Sequence, residues 1–192
     1  MSSLYNFIMK GDPKVIVYDW DDTLFGWSDV VSSINWKEFN LGRIRYQNFY
    51  EANLAEVLQP IDFMRRFVHM VDKYFQIPQI CVSACWTSAM VPAKQYMNEK
   101  YYPCIRQMYS TETPEYRTEL IQTICSAYEV CCTQGMLVDD QQPNRVVARA
   151  GKINAVSPIG VYLFLQQLER NAPNGSQMEK DLISLAIIPT EE

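Results

Sequence analysis

An α/β domain on a mainly parallel sheet is what this sequence predicts, from two observations. Short apolar runs alternate with amphipathic segments, the pattern of βαβ units with right-handed crossovers. Three of those runs lead into side chains competent for phosphate or metal: Val15-Ile16-Val17-Tyr18 into Asp19-Trp20-Asp21-Asp22-Thr23, Ile80-Cys81-Val82 into Ser83, and Met136-Leu137-Val138 into Asp139-Asp140. In open parallel sheets ligands bind beyond the carboxyl ends of the strands, so three such ends point to one shared site.

The elements follow in order. After the Gly11-Asp12-Pro13 turn, residues 14–18 form the first strand. Gln59-Pro60 opens a helix whose apolar residues Ile61, Met64, Phe67, Val68, Val71 and Phe75 recur at three- and four-residue spacing, ending before Pro78. A strand at 79–83, a helix at 88–101 and a short strand at 105–109 come next. Thr113-Pro114 starts a helix faced by Leu120, Ile121, Ile124 and Tyr128. Gly135 precedes the fourth strand, Pro143 opens a helix to about 150, residues 153–156 are a fifth strand, and Pro158 begins a helix to about 170.

Residues 26–57 break this alternation and read as a small helical cap inserted in the core, with Asn40-Leu41-Gly42 as a turn between helices at 28–39 and 45–58. The expected organisation is therefore a core of 1–25 and 58–170, a cap of 26–57, and a linker and tail of 171–192. Within the tail, residues 182–188 are either an edge strand or a segment packed on the domain surface.

The 192 residues suit one domain with a sizeable core. A formal charge of −5 and a pI near 5.0 argue against a general nucleic-acid binder, which presents a basic surface. No apolar stretch approaches the roughly 20 residues that cross a bilayer, and residues 1–10 lack a secretory layout, so a cytoplasmic, intracellular protein is expected. The six cysteines show no zinc spacing and read as reduced core thiols, with the vicinal Cys131-Cys132 pair incidental rather than redox-active. His69 is the single histidine and reads as exposed on the polar side of its helix, which disfavours histidine-based hydrolysis and zinc sites.

Side chains alternate along a strand, so Asp19 and Asp21 would project to one side, and a turn starting there would aim both into one crevice. An Asp-x-Asp-x-Thr segment, then a serine at a strand end, a basic residue opening a helix (Arg117) and finally Asp139-Asp140 resembles, in that order, the haloacid dehalogenase superfamily over about residues 14–157. Members are mostly magnesium-dependent aspartyl phosphatases on a Rossmann-like three-layer α/β sandwich, and the superfamily inserts caps where residues 26–57 fall.

The resemblance implies a role for each residue. Asp19 is the nucleophile that forms an aspartyl-phosphate, and Asp21 is the acid and then the base. Mg2+ is held by Asp19, the backbone carbonyl of Asp21 and Asp139. Thr23 fixes the loop, Ser83 hydrogen-bonds the phosphoryl group, Asp140 supports the metal site and Asn144 tethers it. Arg117, in the phosphate-binding place with Ser83 and Thr23, stands where the family usually has lysine; a guanidinium can still neutralise phosphate, often bidentately, but is bulkier and differs in geometry. Lys94 and Lys152 are candidates for the missing ammonium. The implied partner is a phosphorylated small molecule, nucleotide or phosphoprotein, with no membrane.

Bland readings stand beside these. Asp22 reads as a turn former. Trp27, Trp36, Tyr46 and Tyr50 either line the entrance or pack the cap, and Lys37, Arg43 and Arg45 are either a solvated face or a site for an anionic substrate tail. A catalytically weak or inactive binding module of the same fold is the alternative, motivated by Arg117. A response-regulator receiver has similar residue types, but there the acidic pair comes first and the phosphorylated aspartate ends a later strand, so the order here excludes it.

Overall fold

Residues Val15–Tyr18 (β1) form the central strand of the protein, and all four are buried. The computed structural model describes residues 4–27, 58–85, 90–111 and 117–186. Around β1 lie Gln79–Ala84 (β4), Gln107–Thr111 (β5), Gly135–Val138 (β6) and Asn154–Val156 (β7), in the order β5-β4-β1-β6-β7, with every neighbouring pair parallel. The order of connection reverses at β1, which creates a crevice at the carboxyl ends of β1 and β6.

The period-2 alternation of the strands builds a core on each face. Ile16, Tyr18, Cys81, Met136 and Val138 point into one, and Val15, Val17, Ile80, Val82 and Leu137 into the other. The first face is covered by Leu4–Met9 (α1), Asp62–Phe75 (α2), Met90–Tyr101 (α3), Pro158–Asn171 (α6) and Gln177–Leu185 (α7); the second by Arg117–Ala127 (α4) and Gln142–Ala150 (α5). This is the three-layer, mainly parallel α/β sandwich expected. A polar clamp ties its centre together: the buried Tyr18 hydroxyl donates to Gln79 Oε1 at 2.6 Å, and the Gln79 amide donates to the Val68 carbonyl at 3.0 Å.

Three local readings differ from the structure, and one open alternative is decided by it. Leu58–Pro60 is not the opening of a helix; it is a strand (β3) paired antiparallel with Phe25–Trp27 (β2), and α2 starts at Asp62. Proline is tolerated in this two-stranded pair because it lacks only a donor. The third sheet strand lies two residues later than expected, because Ile105 is a buried loop residue whose amide bonds Tyr102 O, while β5 itself is a largely exposed edge with little apolar signal. Of the two alternatives for the tail, its described residues, up to 186, form no edge strand and instead pack on the domain. Ser176 and Glu179 make a capping box that starts α7, which buries Leu182 against α2 and α6. His69 is half-buried rather than fully exposed, and burial lowers its pKa.

The β2/β3 pair is anchored to the core. Phe25 stacks on Trp20 at 4.4 Å between ring centroids, and the Tyr102 hydroxyl donates to Leu24 O at 2.5 Å. The helices expected at 28–39 and 45–58, with Trp36, Lys37, Arg43, Arg45, Tyr46 and Tyr50, fall on residues 28–57, outside the described ones. Among the described residues the cysteines are free thiols, with Cys131 exposed, and no helix is long and apolar enough to cross a membrane.

Candidate active site

The chain leaves β1 through a tight loop. Asp19 still pairs with β6, its amide donating to Val138 O at 2.9 Å. The amides of Leu24 and Phe25 then both donate to Trp20 O at 3.1 Å, and Asp22, at φ 53, takes the left-handed conformation an aspartate tolerates in a turn. With Trp20 buried as the loop's anchor, Asp19 sits 3% exposed at the strand end, while the side chain of Asp21 is 34% exposed.

Two buried cations meet these acids. Arg117, on the first turn of α4, places Nη2 3.0 Å from Asp19 Oδ1 and donates through Nη1 to Asp139 Oδ2. Lys94 on α3 is 0% exposed; its Nζ donates to Asp21 Oδ2 at 2.6 Å and to Ser83 Oγ at 2.8 Å, and lies 4.5 Å from the Trp20 ring centroid. One cation thus joins the ends of β1 and β6, and the other joins β1 to β4.

The end of β6 is braced from below. Asn144 on α5 donates to both oxygens of Asp139, at 3.2 and 3.1 Å, and the Gln141 amide donates to Oδ1 at 2.8 Å. Arg145 reaches the Asp139 carbonyl at 2.6 Å. Thr23 Oγ1, fully buried, accepts from the Asp140 amide at 3.1 Å and so locks the β1 loop to the β6 loop.

Burial sets the electrostatics. It pushes the Asp19 carboxyl well above the usual carboxylate range; Arg117 opposes this, but Asp139 shares the same guanidinium and its charge raises Asp19 again. Burial, then the charge of Asp139, pushes Asp140 up to about 6. For Arg117 burial works against the charge, yet Asp19 and Asp139 outweigh it and hold its pKa above the ordinary value.

No family model and no curated protein matches the sequence. Solved structures match the fold. They include a haloacid dehalogenase-like family hydrolase from Streptococcus pneumoniae, 12% identical with a TM-score of 0.55 over 80% of this chain and 91% of that one. A putative phosphoglycolate phosphatase from Lactobacillus delbrueckii subsp. bulgaricus is 11% identical, with a TM-score of 0.53 over 75% and 85%. A magnesium complex of a HAD family enzyme from Bacteroides thetaiotaomicron is 12% identical, with a TM-score of 0.50 over 77% and 93%. The chain has the haloacid dehalogenase-like fold.

Within this haloacid dehalogenase-like fold, Asp19, Asp21, Thr23, Ser83, Arg117, Asp139, Asp140 and Asn144 all gather at the carboxyl end of the sheet, linked by the contacts above. Of the two candidate ammonium groups only Lys94 is there. Lys152 precedes β7 and lines a cavity of about 490 Å³ with Asn154 and Ala155, at the opposite end of the strands. The signal for Lys94 was present: it falls in register with the buried residues Met90, Met97 and Asn98, a lysine on the inner face of a helix. Arg145 carried no such signal.

Oxygens of Asp19, Asp139 and Asp140 lie within 4.8 Å of one another. Asp140, expected only as support, therefore brings its carboxylate into the cluster, whereas Asp21 spends its own on Lys94. Four carboxylates (Asp19, Asp21, Asp139, Asp140) against two cations (Lys94, Arg117) leave two negative charges when all are ionised, and the buried Asp140 Oδ1 has no hydrogen-bond partner among the described residues. An all-oxygen donor set with this charge fits a small hard divalent cation such as Mg2+.

Proposed function

We propose that this chain is a magnesium-dependent phosphatase that hydrolyses phosphomonoesters through an aspartyl-phosphate on Asp19. The observation that carries the reading is the position of Asp19: a buried carboxylate between Arg117 and an oxygen cluster suited to a metal, with the Lys94–Ser83 pair on the adjacent strand end.

Each residue then has a chemical task. Lys94 and Ser83 bind and neutralise the phosphoryl oxygens, which lets an anionic nucleophile approach an anionic ester. Asp19 attacks phosphorus through a carboxylate oxygen as the bond to the ester oxygen breaks, and Asp21 protonates the departing alkoxide. Asp21 then takes a proton from water, which attacks the phosphorus of the acyl phosphate; inorganic phosphate leaves and the Asp19 carboxylate is restored. Asp19, Asp139 and Asp140, with the Asp21 carbonyl, would hold Mg2+, which when bound neutralises charge on the transferring oxygens. Asn144, Thr23 and Arg145 keep the β6 loop in register.

The alternative of an inactive module rests on arginine standing where lysine is usual. Lys94 weakens that motive, since it brings an ammonium to Ser83 from a different helix. The magnesium complex and the putative phosphatase that share the fold also favour an enzyme. The substrate class spans small phosphometabolites, nucleotides and phosphoproteins, and the cap at 26–57 belongs to the same proposal.

The test is phosphate release from p-nitrophenyl phosphate, nucleotides, sugar phosphates and phosphopeptides, with Mg2+ and with EDTA. Release should need Mg2+ and vanish in Asp19→Asn and Asp21→Asn. Robust turnover by Asp19→Asn would remove Asp19 as nucleophile.

A further inference from the structure

Arg117 does something a lysine at its position would not. Its two terminal nitrogens grip two different carboxylates, Asp19 at 3.0 Å and Asp139, from a side chain only 5% exposed. Those same two residues supply oxygens to the cluster that spans no more than 4.8 Å. The guanidinium therefore lies where charge compensation for the pair is needed, and it uses lone pairs that a metal would also claim. An ammonium is a point charge and has no rigid fork to bridge two partners at fixed spacing.

We infer that Arg117 is a resident cation that closes the metal-free site, and that magnesium loads only by displacing the arginine from Asp139. The inference rests on the phosphatase reading for the identity of the ion and deepens it: Arg117 is a positioning residue that sets metal affinity. The bridge holds Asp19 and Asp139 at their spacing without an ion, which prevents two buried carboxylates from repelling each other. The cost is a weaker apparent metal affinity, because one charge-assisted hydrogen bond must break on loading. Asp139 is prepared for the exchange, since Asn144 and the Gln141 amide still hold its oxygens when Arg117 lets go.

Charge and bridging make different predictions, and Arg117→Lys separates them. Lysine keeps the charge but contacts one carboxylate at a time. If charge alone governed affinity, Arg117→Lys would bind Mg2+ as the wild type does and only Arg117→Gln would bind more tightly. If the bridge governs it, both variants bind Mg2+ more tightly, by about tenfold for lysine, the scale of one hydrogen bond between charged groups.

Isothermal titration of the metal-free full chain with MgCl2 reads the affinity, and melting with and without Mg2+ gives a second readout. The expected result is tighter binding in Arg117→Lys and Arg117→Gln, together with a lower metal-free melting temperature and a larger rise on adding Mg2+ than in the wild type. Equal affinity and an equal rise in the wild type and Arg117→Lys would overturn the inference, as would absence of Mg2+ binding by all three. Should the affinities shift as expected while no phosphate ester is hydrolysed, the phosphatase reading fails and this one stands. Should Mg2+-dependent hydrolysis be abolished by Asp19→Asn while the affinities stay unshifted, the phosphatase reading stands and this one fails.

Discussion

Lys94 donates one hydrogen bond to Asp21 and another to Ser83, at 2.6 and 2.8 Å, and so couples the loop after β1 to the end of β4 through a side chain with no exposed surface. A charge in such a place is stable only because its partners are there, and Asp21 keeps enough solvent contact to remain hydrated if the ammonium is removed.

Lys94→Met is therefore expected to fold and to lose activity. The substitution keeps an unbranched chain of similar length on a face that already holds Met90 and Met97. The loss in kcat should be roughly 10² to 10³, the scale for removing one preorganised group from a developing charge. Steady-state kinetics on p-nitrophenyl phosphate measures it; a variant that melts like the wild type and keeps its kcat would show that the ammonium plays no part in turnover.

Asp140 gives a pH signature in EDTA. Its folded pKa of about 6 lies above its ordinary value of 3.8, through burial first and the charge of Asp139 second. The folded protein thus holds this proton more tightly than the unfolded chain. That stabilising contribution is complete below about pH 4 and is lost as pH rises through about 6. Asp140→Asn, uncharged throughout, should melt higher than the wild type near pH 7.5 and level with it near pH 4. Circular dichroism melts at the two pH values check this, and a metal-free wild type that outlasts the variant near pH 7.5 would refute the assignment.

Gly135 begins β6, the strand that leads into Asp139. A Cβ there would lie 2.8 Å from Cys125 Sγ and 3.2 Å from the Cys132 carbonyl. Gly135→Ala should cost about 1 to 3 kcal/mol by overpacking. Adding Cys125→Ala removes the closer contact, so the double variant should be less unstable than the two single losses added together. Urea unfolding of the four proteins completes the cycle; strict additivity would mean that the thiol is not what the new methyl meets.

The readable parts of the site are those whose side chains sit within a few residues of an apolar run. Asp19 and Asp139 directly follow strands and Ser83 is the next-to-last residue of one, and a strand four residues long and buried on both faces leaves an unmistakable run such as Val15–Tyr18. Thr23 and Asn144 came only through the family resemblance, whose motifs include them near the acids. The β2/β3 pair was not legible, because its strands are three residues each and separated by the whole segment 28–57, too short for periodicity to register. The edge strand β5 was misplaced because an edge buries little and so writes little into the composition.

By itself the sequence determined the α/β alternation, the order of the sheet-end residues and their convergence on one crevice, because parallel βαβ units with a fixed crossover hand leave few ways to arrange such strands. Only the tertiary structure decided which cation serves which acid: that Lys94 rather than Lys152 meets Ser83, that Arg117 spans Asp19 and Asp139, and that Asp140 joins the oxygen cluster. Those pairings depend on which helix face lies over which strand end, and they join residues as distant in sequence as Lys94 and Asp21, 73 positions apart. Local propensity carries no information about contacts of that kind; packing the two layers against the sheet creates it.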